Sequence, residues 1–221
     1  LVFGQTNTNE SDKKEVIRVV KYDKKWKRIS ACSIKGANTY VPFDAGGLDM
    51  TETGGKLYIH TCHTMYKTSD GYHHQANCTF AIQESNMKLV DSYYDVMNLS
   101  EGYVSHSFAQ QIETDGTYIY RADLGDAYPR GIALTATKTG DKVGNPSLYG
   151  TIVSIPGTLG SNYTGFTLND LKLGENNYIV TGTGIKSENT SVRNIYINAG
   201  SKTAFTKNAT CLLYTSDAAD D

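Results

Sequence analysis

The chain has 221 residues, the length of one large domain or two small ones, and carries 21 Lys and Arg against 23 Asp and Glu for a net charge of −2. That balance gives no general grip on a phosphate backbone, so nucleic acid is not an expected partner. Hydrophobic residues make up 39%, including 16 Tyr, which is too apolar for a disordered chain, and no apolar run approaches the roughly 18 residues of a membrane-spanning helix.

Short runs of Tyr, Thr, Val and Ile are cut about every ten residues by Gly, Asn and Asp, the pattern of strands and turns. The best helical candidates, 87–97 and 169–173, are short and weakly periodic. The chain opens with strands expected at 1–4, 16–22 and 28–34. Within the second of these, Val16, Arg18 and Val20 alternate with Ile17 and Val19, so both faces are largely apolar and both are expected to be covered. Lys24-Lys25-Trp26-Lys27 reads as a solvated hairpin turn. Further strands are expected at 47–53, 57–65, 78–84 and 88–94, then at 107–114, 117–122, 131–138 and 150–155, and finally at 165–172, 178–182 and 191–198.

Internal repetition groups these strands. Tyr58, Tyr118 and Tyr178 each follow a turn signal and stand before an Ile, and they are spaced 60 residues apart. Independently, residues 1–4 (LVFG) lie over 179–182 (IVTG) at an offset of 178, close to three such units. Four antiparallel strands per unit is the make-up of a propeller blade. The expected fold is therefore all-β: a partial β-propeller of roughly 60-residue, four-stranded antiparallel blades over 1–43, 44–103, 104–163 and 164–210. Tandem β-sandwiches would need nearer 100 residues each. The last eleven residues, CLLYTSDAADD (211–221), match no unit and resemble the in-frame translation of a sequencing adapter. They are left outside the expected fold. The natural chain is expected to be longer at both ends.

Without the tail, three cysteines remain: Cys32, Cys62 and Cys78. The last two belong to neighbouring strands of a hairpin centred on Asp70, where they could face each other; buried thiols are the expected state. There is no CxxC or zinc-type spacing. His60 and His63 form an HxxH, but an odd separation on a strand sends them to opposite faces, one expected packed and the other solvated. No metal or cofactor is expected.

Candidate chemistry sits in the loops. His73 and His74 lie in the turn-rich stretch 67–77, expected to join the second and third strands of a blade, and 123–130 is its counterpart in the next blade. His106 lies in a link between blades, which opens on the same end of a propeller. His73, His74, His106, Asp126, Tyr128 and Arg130 are thus the candidate binding residues at the mouth of the central channel. Of these, His74, His106, Asp126 and Arg130 are the catalytic candidates, having the acid, base and cation that proton or group transfer needs. The plainer alternative is an Asp126–Arg130 ion pair that pins its own loop.

The stretches 69–77 (SDGYHHQAN), 103–108 (YVSHSF) and 125–130 (GDAYPR) are similar to uncharacterised, secreted bacterial propeller-like proteins, a likeness that spans most of 1–210. The resemblance implies a propeller fold and an extracellular or cell-surface location, and it implies no activity. A remoter likeness, to arylsulfotransferase propellers with their central histidine, rests only on His74 or His106 facing a channel. Two functions are expected from these readings. One is a binding or scaffold module presenting loops to a carbohydrate, peptide or protein. The other is an enzyme with acid/base or group-transfer chemistry at the channel mouth.

Overall fold

The structure, a computed structural model, describes residues 1–44, 46–99, 102–104, 107–161, 163–185, 192–206 and 211–213, the side chains of 102–104, 107 and 211–213 excepted. No helix occurs among the described residues. The helical candidates 87–97 and 169–173 are strand and turn instead. Val90, Tyr93 and Tyr94 suit a pleated surface, and neither stretch has the length to pay for helix nucleation.

The first sheet has the order β1 (Val2–Gly4), β2 (Glu15–Tyr22), β3 (Arg28–Lys35). The second contains β4 (Thr39–Pro42), β5 (Leu48–Thr53), β6 (Lys56–Lys67), β7 (His73–Gln83) and β8 (Lys88–Tyr93). Here β4 and β5 pair with successive halves of β6, so together they form one interrupted inner strand. A hairpin of β9 (Met97–Leu99) and β10 (Gly102–Val104) leads to the third sheet. That sheet runs in order β11 (Ser107–Thr114), β12 (Tyr118–Gly125), β13 (Gly131–Lys138), β14 (Leu148–Ser154). The fourth runs β15 (Asp170–Leu173), β16 (Asn177–Gly184), β17 (Asn194–Ser201), β18 (Cys211–Leu213). The first three residues of the segment set aside as a tail thus pair with Ile195–Ile197.

All pairings are antiparallel, and each sheet packs on the next in chain order. Val16, Ile17, Val19 and Ile34 of the first sheet meet Ile59, Cys78, Phe80 and Ile82 of the second. Tyr58 and Ala81, on the other face of the second sheet, meet Ile112 and Ile119 of the third. Tyr120, Ala122, Leu124 and Leu134 of the third meet Leu171, Tyr178, Val180 and Tyr196 of the fourth. The first strands also neighbour one another, β5 beside β11 and β11 beside β15. Sheets stacked face to face with their first strands adjacent are propeller blades around an axis, and the all-β partial propeller is the fold.

The repeat is approximate in strand count, with three, five, four and four strands in successive sheets among the described residues, and in residue equivalence. Tyr58 and Tyr118 pack toward the following sheet, whereas Tyr178 packs toward the preceding one. Thr114 pairs with Ile119 whereas Leu173 pairs with Tyr178, so Tyr178 takes the register position of Ile119, one residue from that of Tyr118 and on the opposite face.

Candidate functional site

The β6–β7 hairpin shows the same parity. Lys67 pairs with His73, which centres the turn on Asp70 as the sequence suggests. Between Thr64 and Lys67 the register shifts by one, so that Thr64 pairs with Gln75 and Cys62 with Asn77. Cys78 is opposite Thr61, not Cys62, and the two thiols lie on opposite faces. The expectation that they face each other is therefore corrected. Cys32, Cys62 and Cys78 are all free and buried. Burial, with help from Asp44 and Asp123, pushes the Cys62 thiol up to about 12, and burial with Cys62 and Asp123 nearby holds the Cys78 thiol well above its ordinary range.

His60 and His63 do point to opposite faces, but both are buried, so neither is the solvated one the sequence predicts. A propeller strand has a neighbour on each side, and an odd separation only selects which neighbour receives the ring. His63 Nδ1 lies 2.7 Å from Thr39 Oγ1, whose own hydrogen is given to the Ala37 carbonyl at 2.8 Å. Nδ1 must then be the donor, which leaves Nε2 without its proton. Burial drives the His63 pKa down to about 4, against the opposing pull of the Tyr94 backbone and Asp95.

His60 faces the third sheet. Its Nε2 is 2.8 Å from Asp123 Oδ1 and its Nδ1 3.0 Å from Thr79 Oγ1. Arg121 donates to Thr79 Oγ1 at 3.1 Å, to the Val143 carbonyl at 2.8 Å and to Thr137 Oγ1 at 2.8 Å. Burial lowers Arg121 to about 10, while Asp123 and then Tyr93 pull the other way, so it remains a cation at neutral pH. The void left among these groups is about 10 Å³, room for one water and no substrate. A histidine, an aspartate and an arginine together invite a catalytic reading, but this cluster is closed. Sequence reading passed over it because alternation in 118–124 gives one polar face, ordinarily a solvated one, and here a second blade covers it.

The loop residues singled out from the sequence do not gather at one point. His73 and His74 begin β7 and are not in a loop, because pairing continues to the five-residue turn 68–72. Adjacent strand positions send them apart. His73 stacks on Tyr40 with ring centroids 4.0 Å apart, donates from Nδ1 to the Met65 carbonyl at 2.9 Å, and brings Nε2 to 3.7 Å from Glu10 Oε1. His74 Nε2 lies 2.6 Å from Asp70 Oδ2, and that carboxylate also caps its turn through Thr68 Oγ1 and the Tyr72 N–H. These bonds hold Asp70 far below the usual carboxylate range. His106 lies outside the described residues.

Asp126 and Arg130 are both buried, Tyr128 between them is half exposed, and the pin in this loop is not the expected carboxylate–guanidinium pair. Arg130 donates instead to four main-chain carbonyls: Nε to Pro156 at 3.0 Å, one terminal nitrogen to Asp126 at 3.3 Å and Ser161 at 3.0 Å, the other to Tyr163 at 3.0 Å. One side chain thereby fastens loop 126–130 to the link that follows β14. A hollow of about 690 Å³ opens on this fastened surface, lined by Tyr128, Pro129, Thr151, Ser154, Leu159 and Phe205 with two neighbours. Its size suits a small-molecule or oligosaccharide segment. Tyr128 and Leu159 stand at its rim 50% and 45% exposed, and Tyr163, whose carbonyl Arg130 holds, is 69% exposed. Sequence reading found Tyr128 and Arg130. Leu159 and Tyr163 are not legible there, since they are brought to the loop by the guanidinium together with the Gly160 N–H, which donates to the Asp126 carbonyl at 2.8 Å.

No protein-family model matches the chain, and no curated protein does. Solved structures do match. An α-L-arabinanase from Cellvibrio cellulosa, complexed with arabinohexaose, is similar at 10% identity over 76% of this chain and 59% of that one, with a TM-score of 0.43. A variant of a GH43 protein from Bacillus licheniformis is similar at 10% identity over 96% of this chain and 55% of that one, with a TM-score of 0.30. The chain spans less than two thirds of the length of either. At that distance no residue role transfers.

Proposed function

We propose that this chain is a carbohydrate-binding propeller module whose ligand lies on the ledge of Tyr128, Pro129 and Leu159. The observation that supports the reading is the commitment of Arg130 to four carbonyls. It gives the rim its rigidity and takes the one cation in the loop out of contention as a ligand or catalytic group. A fixed, exposed tyrosine beside hydroxyl-bearing Thr151 and Ser154 is suited to a sugar, whose C–H face stacks on an aromatic ring while its hydroxyls bond at the edge. Pre-fixed loops reduce the ordering cost of binding. The same reading sets the chain outside the cell or at its surface, where such polymers are met.

Affinity electrophoresis in gels containing arabinan, xylan or mixed-linkage glucan tests it. Retardation in at least one gel is expected, with loss of it in Tyr128→Ala at unchanged circular dichroism. Migration unaffected by every polymer, or retardation that survives Tyr128→Ala, overturns the proposal. The enzymatic alternative rests on the solvent-facing Asp70–His74 pair, whose side chains are 51% and 35% exposed. It requires reducing sugar or transferred groups to appear from the same polymers, and that product to vanish in His74→Gln.

A further inference from the structure

A second hollow, of about 680 Å³, lies at the other end of the blades. Turn 115–117 joins β11 to β12, whereas loop 126–130 joins β12 to β13, so the two hollows belong to opposite ends of β12. Asp115, Thr117, Tyr118, Ser147, Asn176 and Lys202 line it between the third and fourth sheets. Its main charges are already engaged with each other. Asp115 Oδ1 accepts the Thr117 N–H at 3.0 Å and the Tyr118 N–H at 2.9 Å. Asp115 Oδ2 accepts the Tyr120 hydroxyl at 3.1 Å and the Lys202 ammonium at 2.9 Å. These bonds hold the Asp115 carboxyl below its ordinary range against the raising effect of burial.

What remains for a ligand is neutral. The hydroxyls of Thr117, Tyr118 and Ser147 and the amide of Asn176 face no side-chain partner among the described residues. Glu175, exposed at the rim, is in no ion pair among the described residues and supplies the one uncompensated charge, which repels anions. We propose that this hollow is a binding site for a neutral sugar of one or two rings, resting against Tyr118 and bonded by the surrounding hydroxyls and amide. The volume falls in the range of small-ligand sites, and uncharged donor–acceptor groups beside an aromatic ring match a polyhydroxylated ring. The proposal does not rest on the Tyr128 ledge.

Amide chemical shifts of the ¹⁵N-labelled full chain, titrated with cellobiose and separately with glucuronate, test it. Cellobiose is expected to move the amides of 115–118, 147–148, 175–176 and 201–203, and glucuronate at equal concentration to leave them in place. The pair Thr117→Val with Ser147→Ala is expected to weaken cellobiose about 25-fold, the worth of two neutral hydrogen bonds, and Tyr118→Phe alone, should the pair fail to fold, about 5-fold, the worth of one. Glu175→Gln is expected to admit glucuronate. Tyr128→Ala is expected to change none of these responses, which separates this site from the ledge. Absence of cellobiose shifts at these amides, equal shifts with glucuronate, or undiminished cellobiose binding in the variant overturns the proposal.

Discussion

At the scale of single residues, one buried group makes the fold sensitive to its medium, while the buried thiols do not. His63 is held neutral, with its pKa lowered from 6.5 to about 4. Between those values the unfolded chain takes up a proton that the folded chain refuses, so stability falls as the pH drops through this window. The slope approaches about 1.4 kcal/mol per pH unit. Urea midpoints measured from pH 7 to 4 should therefore decline, and His63→Leu should flatten the decline. The thiols are the insensitive counterpart. Only thiolate reacts, and Cys62 with a pKa of about 12 has almost none. In a Cys211→Ser background, a chromogenic disulfide at pH 8 should label no cysteine quickly in the native state and three after addition of urea.

At the scale of elements, the Arg130 fastening is the part of the site that most affects stability. Replacing it by Met leaves the Pro156, Ser161 and Tyr163 carbonyls without this donor, while the Asp126 carbonyl keeps the Gly160 N–H, and should cost about 2–4 kcal/mol, read as a lower urea midpoint with the same slope. Tyr128→Ala, on the same loop but half exposed, should leave that midpoint almost unmoved. This contrast marks what was legible in the sequence. Strand positions were, because alternation of Val16 to Val20 and the turn signals at Gly54, Asp115 and Gly174 are local. The partners of Arg130 were not, since three of its four carbonyls come from residues 156–163, which carry no signal of their own. His73 and His74 were misplaced for a related reason: Ser69, Asp70 and Gly71 mark a turn without marking how far the ladder runs before it.

For the whole molecule, polar contacts lock blade to blade alongside the apolar ones. Asp49 Oδ2 accepts the Ile112 N–H at 2.9 Å, Asp91 Oδ2 the Val143 N–H at 2.7 Å, and His60 reaches Asp123. Each joins the second sheet to the third. Arg121 and Asp123 are the fully buried charged members of this seam, and removing either one leaves the other buried with less compensation. Arg121→Met and Asp123→Leu should each cost about 3–5 kcal/mol, and the double variant distinctly less than their sum, as a double-mutant cycle in urea would show. The sixty-residue period implies similar successive units, and among the described residues sheets of three, five, four and four strands follow one another in chain order. The seam itself was hidden because a face that alternates Arg and Asp looks wet until a neighbour of the same chain is set against it.

The extra residue between Thr64 and Lys67 has a consequence for how this chain can vary. Lengthening the turn 68–72 alters only its own contour. Deleting one residue at 65 or 66 would remove the bulge and force either residues 56–64 or the 67 end of the twelve-residue strand to change sides. In the first case His60 would be turned toward the oily seam with the first sheet, and Ile59 would be set against Asp123. A one-codon change at that spot acts like an inversion, whereas the same change five positions later is silent. Natural variation in length should therefore be found in the turn and absent from the bulge.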